Sequence, residues 1–298
     1  MPTRQPFTAL CQQAARGRHA GRADLHVHTT CSDGAYTPGQ VVELARRSGL
    51  SAVAVTDHDT LDGVPAARAA AAGSGVEVVA GVEITAEYRG REMHLLGYFV
   101  AADDGALTEA LARVCRHRVE RFREMLERLR RRGLTVEGDG LPAGTAAPGR
   151  RHLAELLVRA GRVATVREAF RRYLGDASEL VVPKRRLPVA EALALVAGAG
   201  GVAAWAHPAY DCTQESLREL RGLGLRAVEA EYPGAGRART GELRAWAAGL
   251  GLAVTGGSDC HGPGRRAVGA WTVGADELER LRPASWDRFS TGPDRRTG

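Results

Sequence analysis

Residues 23–34 read Ala-Asp-Leu-His-Val-His-Thr-Thr-Cys-Ser-Asp-Gly, a short apolar run that closes on two histidines and, after a turn, an aspartate. The run has the length of a strand. Residues two apart on a strand share a face, so His26 and His28 point the same way and can chelate one metal ion. Asp33 follows closely enough to serve a neighbouring ion. A satisfied pair of core histidines is the alternative for this stretch alone. What decides the fold is that the pattern recurs. Short apolar runs at Ser51–Thr56, Val76–Thr85, His94–Val100, Gly201–Ala206, Ala227–Glu231 and Leu252–Gly256 nearly all carry His, Asp or Glu at their ends.

Between these runs lie amphipathic stretches at Val41–Ser48, Val64–Ala72, Val189–Ala197, Glu215–Leu223 and Gly241–Gly249. Alternation of this kind predicts parallel strands with crossover helices. In a β/α barrel the C-terminal strand ends converge on one mouth, so polar residues placed there favour a barrel over an open sheet. One block breaks the rhythm. Ala106–Arg132 reads as a single long charged helix, with Leu107, Leu111, Val114, Phe122, Leu126 and Leu129 at helical spacing and Gly133 as its cap. Residues 138–150 are rich in Gly, Pro and Ala, and 151–175 read as two shorter helices. The expected organisation is a polar leader over 1–22, a barrel over 23–103 and 187–275, a helical insert over 104–186, and a loose tail over 276–298. One further strand is expected at Ala270–Val273.

Composition limits the rest. The chain has 298 residues, 44% hydrophobic and 26% charged, a globular balance. No apolar run reaches the roughly 18 residues that span a bilayer, and the N-terminus lacks the apolar core of a signal peptide. A cytoplasmic location is the expectation. A formal charge of +6 invites a nucleic-acid reading, but Lys184 is the only lysine among 41 basic residues, Ile84 is the only isoleucine, and Asn is absent. That is the mark of codon bias. Cys11, Cys31, Cys115, Cys212 and Cys260 are scattered, with no CxxC pair, and are read as reduced thiols.

The remaining chemistry sits in five motifs. Thr56-Asp57-His58-Asp59-Thr60 offers His58 as a ligand, with Asp57 or Asp59 to orient it, or with Asp59 as a helix cap. Glu83 lies in an otherwise apolar run, Gly81–Thr85, and needs cations beside it or a proton on it. A carboxylate bridging two metals meets that need. His94 and His207 each follow or open an apolar strand. Asp259 and His261, two apart in Gly256–Gly262, mirror the first motif, and the glycines there permit close backbone approach. Six His, two Asp and one Glu make nine N/O donors with no Cys. A structural zinc takes four ligands, so nine suit two or three divalent ions with positions left open. Such donors fit Mn, Zn or Fe.

In this order, HVHTTCSDG (26–34), TDHDT (56–60), GVEIT (81–85), HLLGY (94–98), AHP (206–208) and GSDCHG (257–262) resemble the polymerase-and-histidinol-phosphatase (PHP) domain. The resemblance covers about residues 23–275. It implies an α/β fold, a distorted seven-stranded (β/α)7 PHP barrel with a helical cap, and a trinuclear centre at the strand C-termini, with Mn2+ favoured over Zn2+ or Fe2+. It assigns His26, His28, Glu83 and Asp259 to a first ion. Glu83, His94 and His207 go to a second, with Glu83 bridging, and Asp33, His58 and His261 to a third. The insert segments Gly149–Ala154, Ala169–Gly175 and Val182–Lys184 are similar to a stand-alone branch that contains nucleoside 3′,5′-bisphosphate phosphatases and 5′→3′ exonucleases of short RNA. The branch usually reads Gly-Arg-Pro-His where this chain has Gly-Arg-Arg-His, and has a longer segment before it.

The implied reaction is phosphoester hydrolysis by a metal-bridged hydroxide, with a small nucleotide or short oligonucleotide as substrate and neither a membrane nor an obligate protein partner. Arg118, Arg121, Arg150, His152 and Lys184 are the candidates for gripping a second phosphate, against the alternative of solvated helix faces. Histidinol phosphate is the rival substrate. A lysine-bridged amidohydrolase is disfavoured, because Lys184 follows Pro183 in the insert. A barrel that binds metal or nucleic acid without catalysis is the reading from another class.

Overall fold

The structure, a computed structural model, describes residues 21–136, 144–210 and 212–283. Residues 1–20 of the expected leader, 138–143 of the expected loop and 284–298 of the expected tail lie outside them, as do 137 and 211. No helix among the described residues is long and apolar enough to cross a membrane.

The strands are β1 (Arg22–Val27), β2 (Ala52–Val55), β3 (Glu77–Tyr88), β4 (Arg91–Tyr98), β5 (Leu187–Pro188), β6 (Val202–Trp205), β7 (Ala227–Glu231), β8 (Ala253–Gly256) and β9 (Val273–Gly274). They form one sheet in the order β8-β7-β6-β4-β3-β2-β1-β9, with β5 pairing to β3. A parallel bridge between Val27 and Cys260 brings the β1 end back to the segment after β8, so the sheet is a nearly closed barrel. The seven strands expected from the sequence are those of the β8-to-β1 path. The pairs β1–β2, β2–β3, β6–β7 and β7–β8 are parallel.

Two pairs are not. β3–β4 and β4–β6 are antiparallel. The reason is local: β3 runs on to Tyr88, β4 starts at Arg91, and two residues leave no room for a crossover helix. Arg89 (φ 51°) and Gly90 (φ 75°) make the tight left-handed turn that such hairpins use. His94 therefore sits within β4 rather than at its start.

The helices are α1 (Pro38–Arg47), α2 (Gly63–Ala71), α3 (Gly105–Arg131), α4 (Arg150–Arg159), α5 (Val166–Ala169), α6 (Val189–Gly198), α7 (Gln214–Gly222), α8 (Arg237–Leu250) and α9 (Ala275–Leu281). A π turn, Phe170–Leu174, continues α5. Thr37 caps α1 with a capping box to Gln40, and Asp104 caps α3 by accepting from the Leu107 N–H. Two expectations at the C-terminal end are corrected. The strand expected over Ala270–Val273 is only Val273–Gly274, antiparallel to Arg22–Ala23. The first residues of the supposed tail are helical, because Glu277 accepts from the Gly274 N–H at 2.8 Å and starts α9.

The apolar stripe of α3 serves two cores. Leu107, Leu111 and Val114 pack with β3, β4 and α6 residues such as Ile84, Leu95 and Leu193. Phe122, Met125, Leu126 and Leu129 pack with Leu153, Leu157 and Leu174 from α4 and the π turn. One continuous helix thus ties the insert to the barrel. Among the strands a third cluster is rich in alanine (Ala23, Ala52, Ala54, Ala204, Ala227, Ala253), with Leu25, Leu96 and Tyr98 filling it.

Candidate metal centre

The β1 end delivers His26 and His28 with their Nε2 atoms 3.2 Å apart. Beside them the backbone of His58 pairs with that of Glu83: Glu83 N–H donates to Asp57 O at 3.1 Å, and Asp59 N–H to Glu83 O at 2.9 Å. Glu83 is 1% exposed. Its Oε2 lies 2.9 Å from His58 Nδ1, 3.2 Å from His28 Nε2 and 3.5 Å from His26 Nε2. Its Oε1 lies 2.8 Å from His94 Nδ1 and 2.9 Å from His207 Nε2. Asp259 Oδ1 stands 3.4 Å from His28 Nε2 and 3.6 Å from His26 Nε2. Asp33 Oδ1 stands 3.3 Å from His261 Nε2 and 3.9 Å from His28 Nδ1.

All nine candidate ligands therefore converge. Four overlapping sets have donor atoms within 4.8 Å of one another: His28-Asp33-His58-His261, His26-His28-Asp259, His26-Glu83-His207 and His58-Glu83-His94. The first contains the trio expected around one ion. Glu83 is shared by two sets, as a bridging carboxylate is. His207 (φ 61°) and Asp259 (φ 49°) hold left-handed backbone conformations, which non-glycine residues adopt at a cost.

The donors fit divalent cations. His28 Nδ1, Asp33 Oδ1, His58 Nδ1 and Glu83 Oε2 are buried and have no hydrogen-bond partner among the described residues. Buried polar atoms are ordinarily paired, and lone pairs converging on each other are what a cation satisfies. The charge pattern agrees. Burial works against every ionised group here, and opposite charge overrides it at most of them. His58, His94 and His26 hold Glu83 well below the usual carboxylate range, and His261 and His58 do the same for Asp33. Despite burial, the neighbouring carboxylates of Asp259 and Glu83 lift His28 to about 10, and Glu83 lifts His94 to about 9. His58 goes the other way: burial carries it down to about 4. Without a cation the imidazoles supply the positive charge; metal binding releases those protons.

Three buried carboxylates build the frame. Glu229 on β7 was not anticipated as a site residue. Its Oε1 lies 3.0 Å from His26 Nδ1, so Glu229 accepts from Nδ1–H and turns Nε2 towards the other donors. Its signal was the one read at Glu83, an acidic residue inside an apolar strand. Asp24 accepts from the N–H groups of Gly269 (2.8 Å), Ser258 (2.9 Å) and His26 (3.3 Å), tying β1 to the segment after β8. Asp57 accepts from the Thr29 N–H (2.6 Å), the Thr29 hydroxyl (2.7 Å) and the Ser32 hydroxyl (2.6 Å), fixing the turn after His28.

The expectation that Asp57 or Asp59 orients His58 is thereby corrected. Asp59 (φ 52°) turns its carboxylate to the Thr85 N–H at 2.7 Å and to Arg118 Nε at 2.6 Å. Nor does Asp59 cap α2, which starts at Gly63. Close approach also matters. A Cβ on Gly257 would lie 2.3 Å from the His26 nitrogen, and one on Gly34 2.3 Å from the His28 oxygen.

The insert brings cations to the rim. Arg118, Arg121 and Lys184 line one small hollow together with His117, Arg185, Asp59 and Thr85. Arg118 Nη2 also donates to Thr85 Oγ1 at 3.0 Å, and Arg121 Nε to Val182 O at 2.6 Å. Lys184 Nζ pairs with Glu92 Oε1 at 2.5 Å, and that oxygen is 3.1 Å from His94 Nε2. Burial, with Arg150 and Arg118 nearby, lowers Arg121 to about 10. Arg150 donates to Leu174 O at 3.0 Å and to Asp176 at 2.5 Å. His152 is buried, which lowers its pKa, and its Nδ1 accepts the Gly149 N–H at 3.1 Å at the start of α4. In this geometry it is a neutral cap.

Comparison with known proteins adds four findings. The PHP domain profile matches residues 24–174. A protein of Haemophilus influenzae named 5′-3′ exoribonuclease is 32% identical over 246 residues, 80% of this chain and 90% of its own length. A 3′,5′-nucleoside bisphosphate phosphatase of Chromobacterium violaceum is 31% identical over 249 residues, 81% and 87% respectively. Among solved structures, a protein of Bifidobacterium adolescentis to which metal-dependent phosphoesterase activity is attributed superposes with a TM-score of 0.81. It is 32% identical, and the match covers 87% of this chain and 94% of that one.

Proposed function

The chain belongs to the PHP domain family, and we propose that it is a metal-dependent phosphoesterase acting on nucleotide phosphoesters. The substrates are the 3′-phosphate of nucleoside 3′,5′-bisphosphates, the 5′ end of short RNA, or both. The observation that carries this reading is the convergence of nine N/O donors with four buried atoms lacking partners. His26, His28, Glu83 and Asp259 would hold one ion, Glu83, His94 and His207 a second, and Asp33, His58 and His261 a third; Mn2+ is the ion favoured. Divalent ions in such a site acidify water and offset charge on phosphoryl oxygens.

The protein's own groups do the rest. Glu83 turns one oxygen to His26, His28 and His58 and the other to His94 and His207, and Glu229 keeps His26 in one tautomer. Glu92 links Lys184 to His94, so the rim and the centre are held in one register. Arg118, Arg121 and Lys184 present fixed positive charge to a second phosphate away from the scissile one. The free thiols of Cys31, Cys115 and Cys260 suit the cytoplasm.

Hydrolysis of 3′-phosphoadenosine 5′-phosphate, a 5′-phosphorylated trinucleotide and histidinol phosphate, compared at saturating Mn2+, tests the reading. Turnover of at least one nucleotide ahead of histidinol phosphate is expected, nearly abolished by Glu83→Gln. Faster turnover of histidinol phosphate, or no phosphate release from any nucleotide, would contradict it.

A further inference from the structure

Tyr210 is 82% exposed, the most exposed large apolar side chain among the described residues, and it lies three residues beyond His207. Three backbone carbonyls close to it in sequence are held in place. The Pro208 carbonyl accepts from the Tyr232 hydroxyl at 2.9 Å, and the Ala209 carbonyl accepts from Arg239 Nη2 at 2.8 Å. The same Nη2 reaches the Cys212 carbonyl at 3.3 Å. Arg239 is itself 7% exposed and pairs with Glu242 at 2.6 Å. The root of the loop belongs to the metal centre: the His207 ring stacks on His26 at 5.4 Å and lies 6.5 Å from the Tyr232 ring.

The Arg239 guanidinium lies over two rings, 5.3 Å from the Trp246 centroid and 5.9 Å from that of Tyr210. Trp246, Arg239 and Tyr210 thus make a layered stack that rises from the buried side of α8 and ends on an aromatic surface in water. We propose that Tyr210 is the platform on which the nucleobase of the substrate stacks while its phosphate occupies the metal centre. This rests on the phosphoesterase reading and names the part of the substrate that the metals and arginines do not read.

The physical case has three parts. Every base has a π face, so stacking on an aromatic side chain binds any of them, purines more strongly for their area. A ring whose loop carbonyls are already held loses little freedom when a ligand arrives. The cation beneath Tyr210 fixes the ring further. An exposed tyrosine could instead anchor a protein partner; the test separates the two.

The test is calorimetric titration of the Mn2+-loaded protein with adenosine 5′-monophosphate and with ribose 5-phosphate, which lacks the base. The wild-type protein is expected to bind the nucleotide about tenfold more tightly, the range that one base-on-aromatic stack supplies. Tyr210→Ala should bring the two affinities together, and Tyr210→Trp should keep them apart. Tyr210→Ala should also leave the melting temperature in place, since the side chain is in water. No preference in the wild-type protein, or a preference that survives Tyr210→Ala, overturns the proposal. Phosphate release measured in parallel reports on the phosphoesterase reading separately: a base preference that depends on Tyr210, without turnover, would sink that reading and leave the platform standing.

Discussion

Glu83 faces five imidazoles from four different segments, at 2.8 to 3.5 Å. A carboxylate buried in a strand is costly unless its charge is met. Here it is met from all sides, which makes Glu83 the pivot of the centre. Glu229 acts one step further out, through His26. Glu229→Gln keeps the shape and removes the charge, so divalent-ion affinity should fall about 10- to 100-fold by titration calorimetry, with the melting temperature of the metal-free protein little changed. Equal affinities would show that Glu229 only fills space. Burial, then the nearby Asp59, pushes the Cys115 thiol up to about 12, and burial does the same for Cys260. Thiolate is the reactive form. Iodoacetamide at pH 8 should therefore spare both residues in the folded protein and label them in urea; rapid labelling of the native state would contradict the assigned environments.

The strands were legible where apolar runs met polar ends, and less so where a strand leaves the barrel. The outer half of β3, with Glu87 and Tyr88, and the start of β4, with Arg91 and Glu92, are polar and read as loop. Arg89-Gly90 lacks the Asn-Gly signature that announces a hairpin. The nine candidate donors were legible because they interrupt apolar runs or stand in the turns just after them. Asp24 and Asp57 interrupt it too, but their task is to receive backbone N–H and hydroxyl groups from distant loops, which no local pattern encodes. α3 carries a further expectation. Leu157 is fully buried in the core that α3 shares with α4, so Leu157→Ala should cost about 2–5 kcal/mol in urea unfolding. A loss well under 1 kcal/mol would mean that this core is loosely packed. Gly257→Ala places a methyl 2.3 Å from backbone, where no side chain can yield. Lower metal stoichiometry or loss of soluble protein is expected; a fully loaded variant would contradict the close approach of β1 to the segment after β8.

At the scale of the molecule, acidic and imidazole groups gather at one end of a nearly closed barrel, and the insert leans arginine and lysine over that end. On the proposed reading the barrel would supply what a cation needs, and the helical block what a phosphate needs. The arrangement requires nine side chains, from β1 to the segment after β8, to act as one cage. Metal content by mass spectrometry, after loading with Mn2+ and exhaustive dialysis, addresses this most directly. Two or three ions per chain are expected in the wild-type protein and at most one in Glu83→Gln. A wild-type chain that retains none, or a Glu83→Gln chain that retains the full complement, would contradict a shared centre bridged by Glu83.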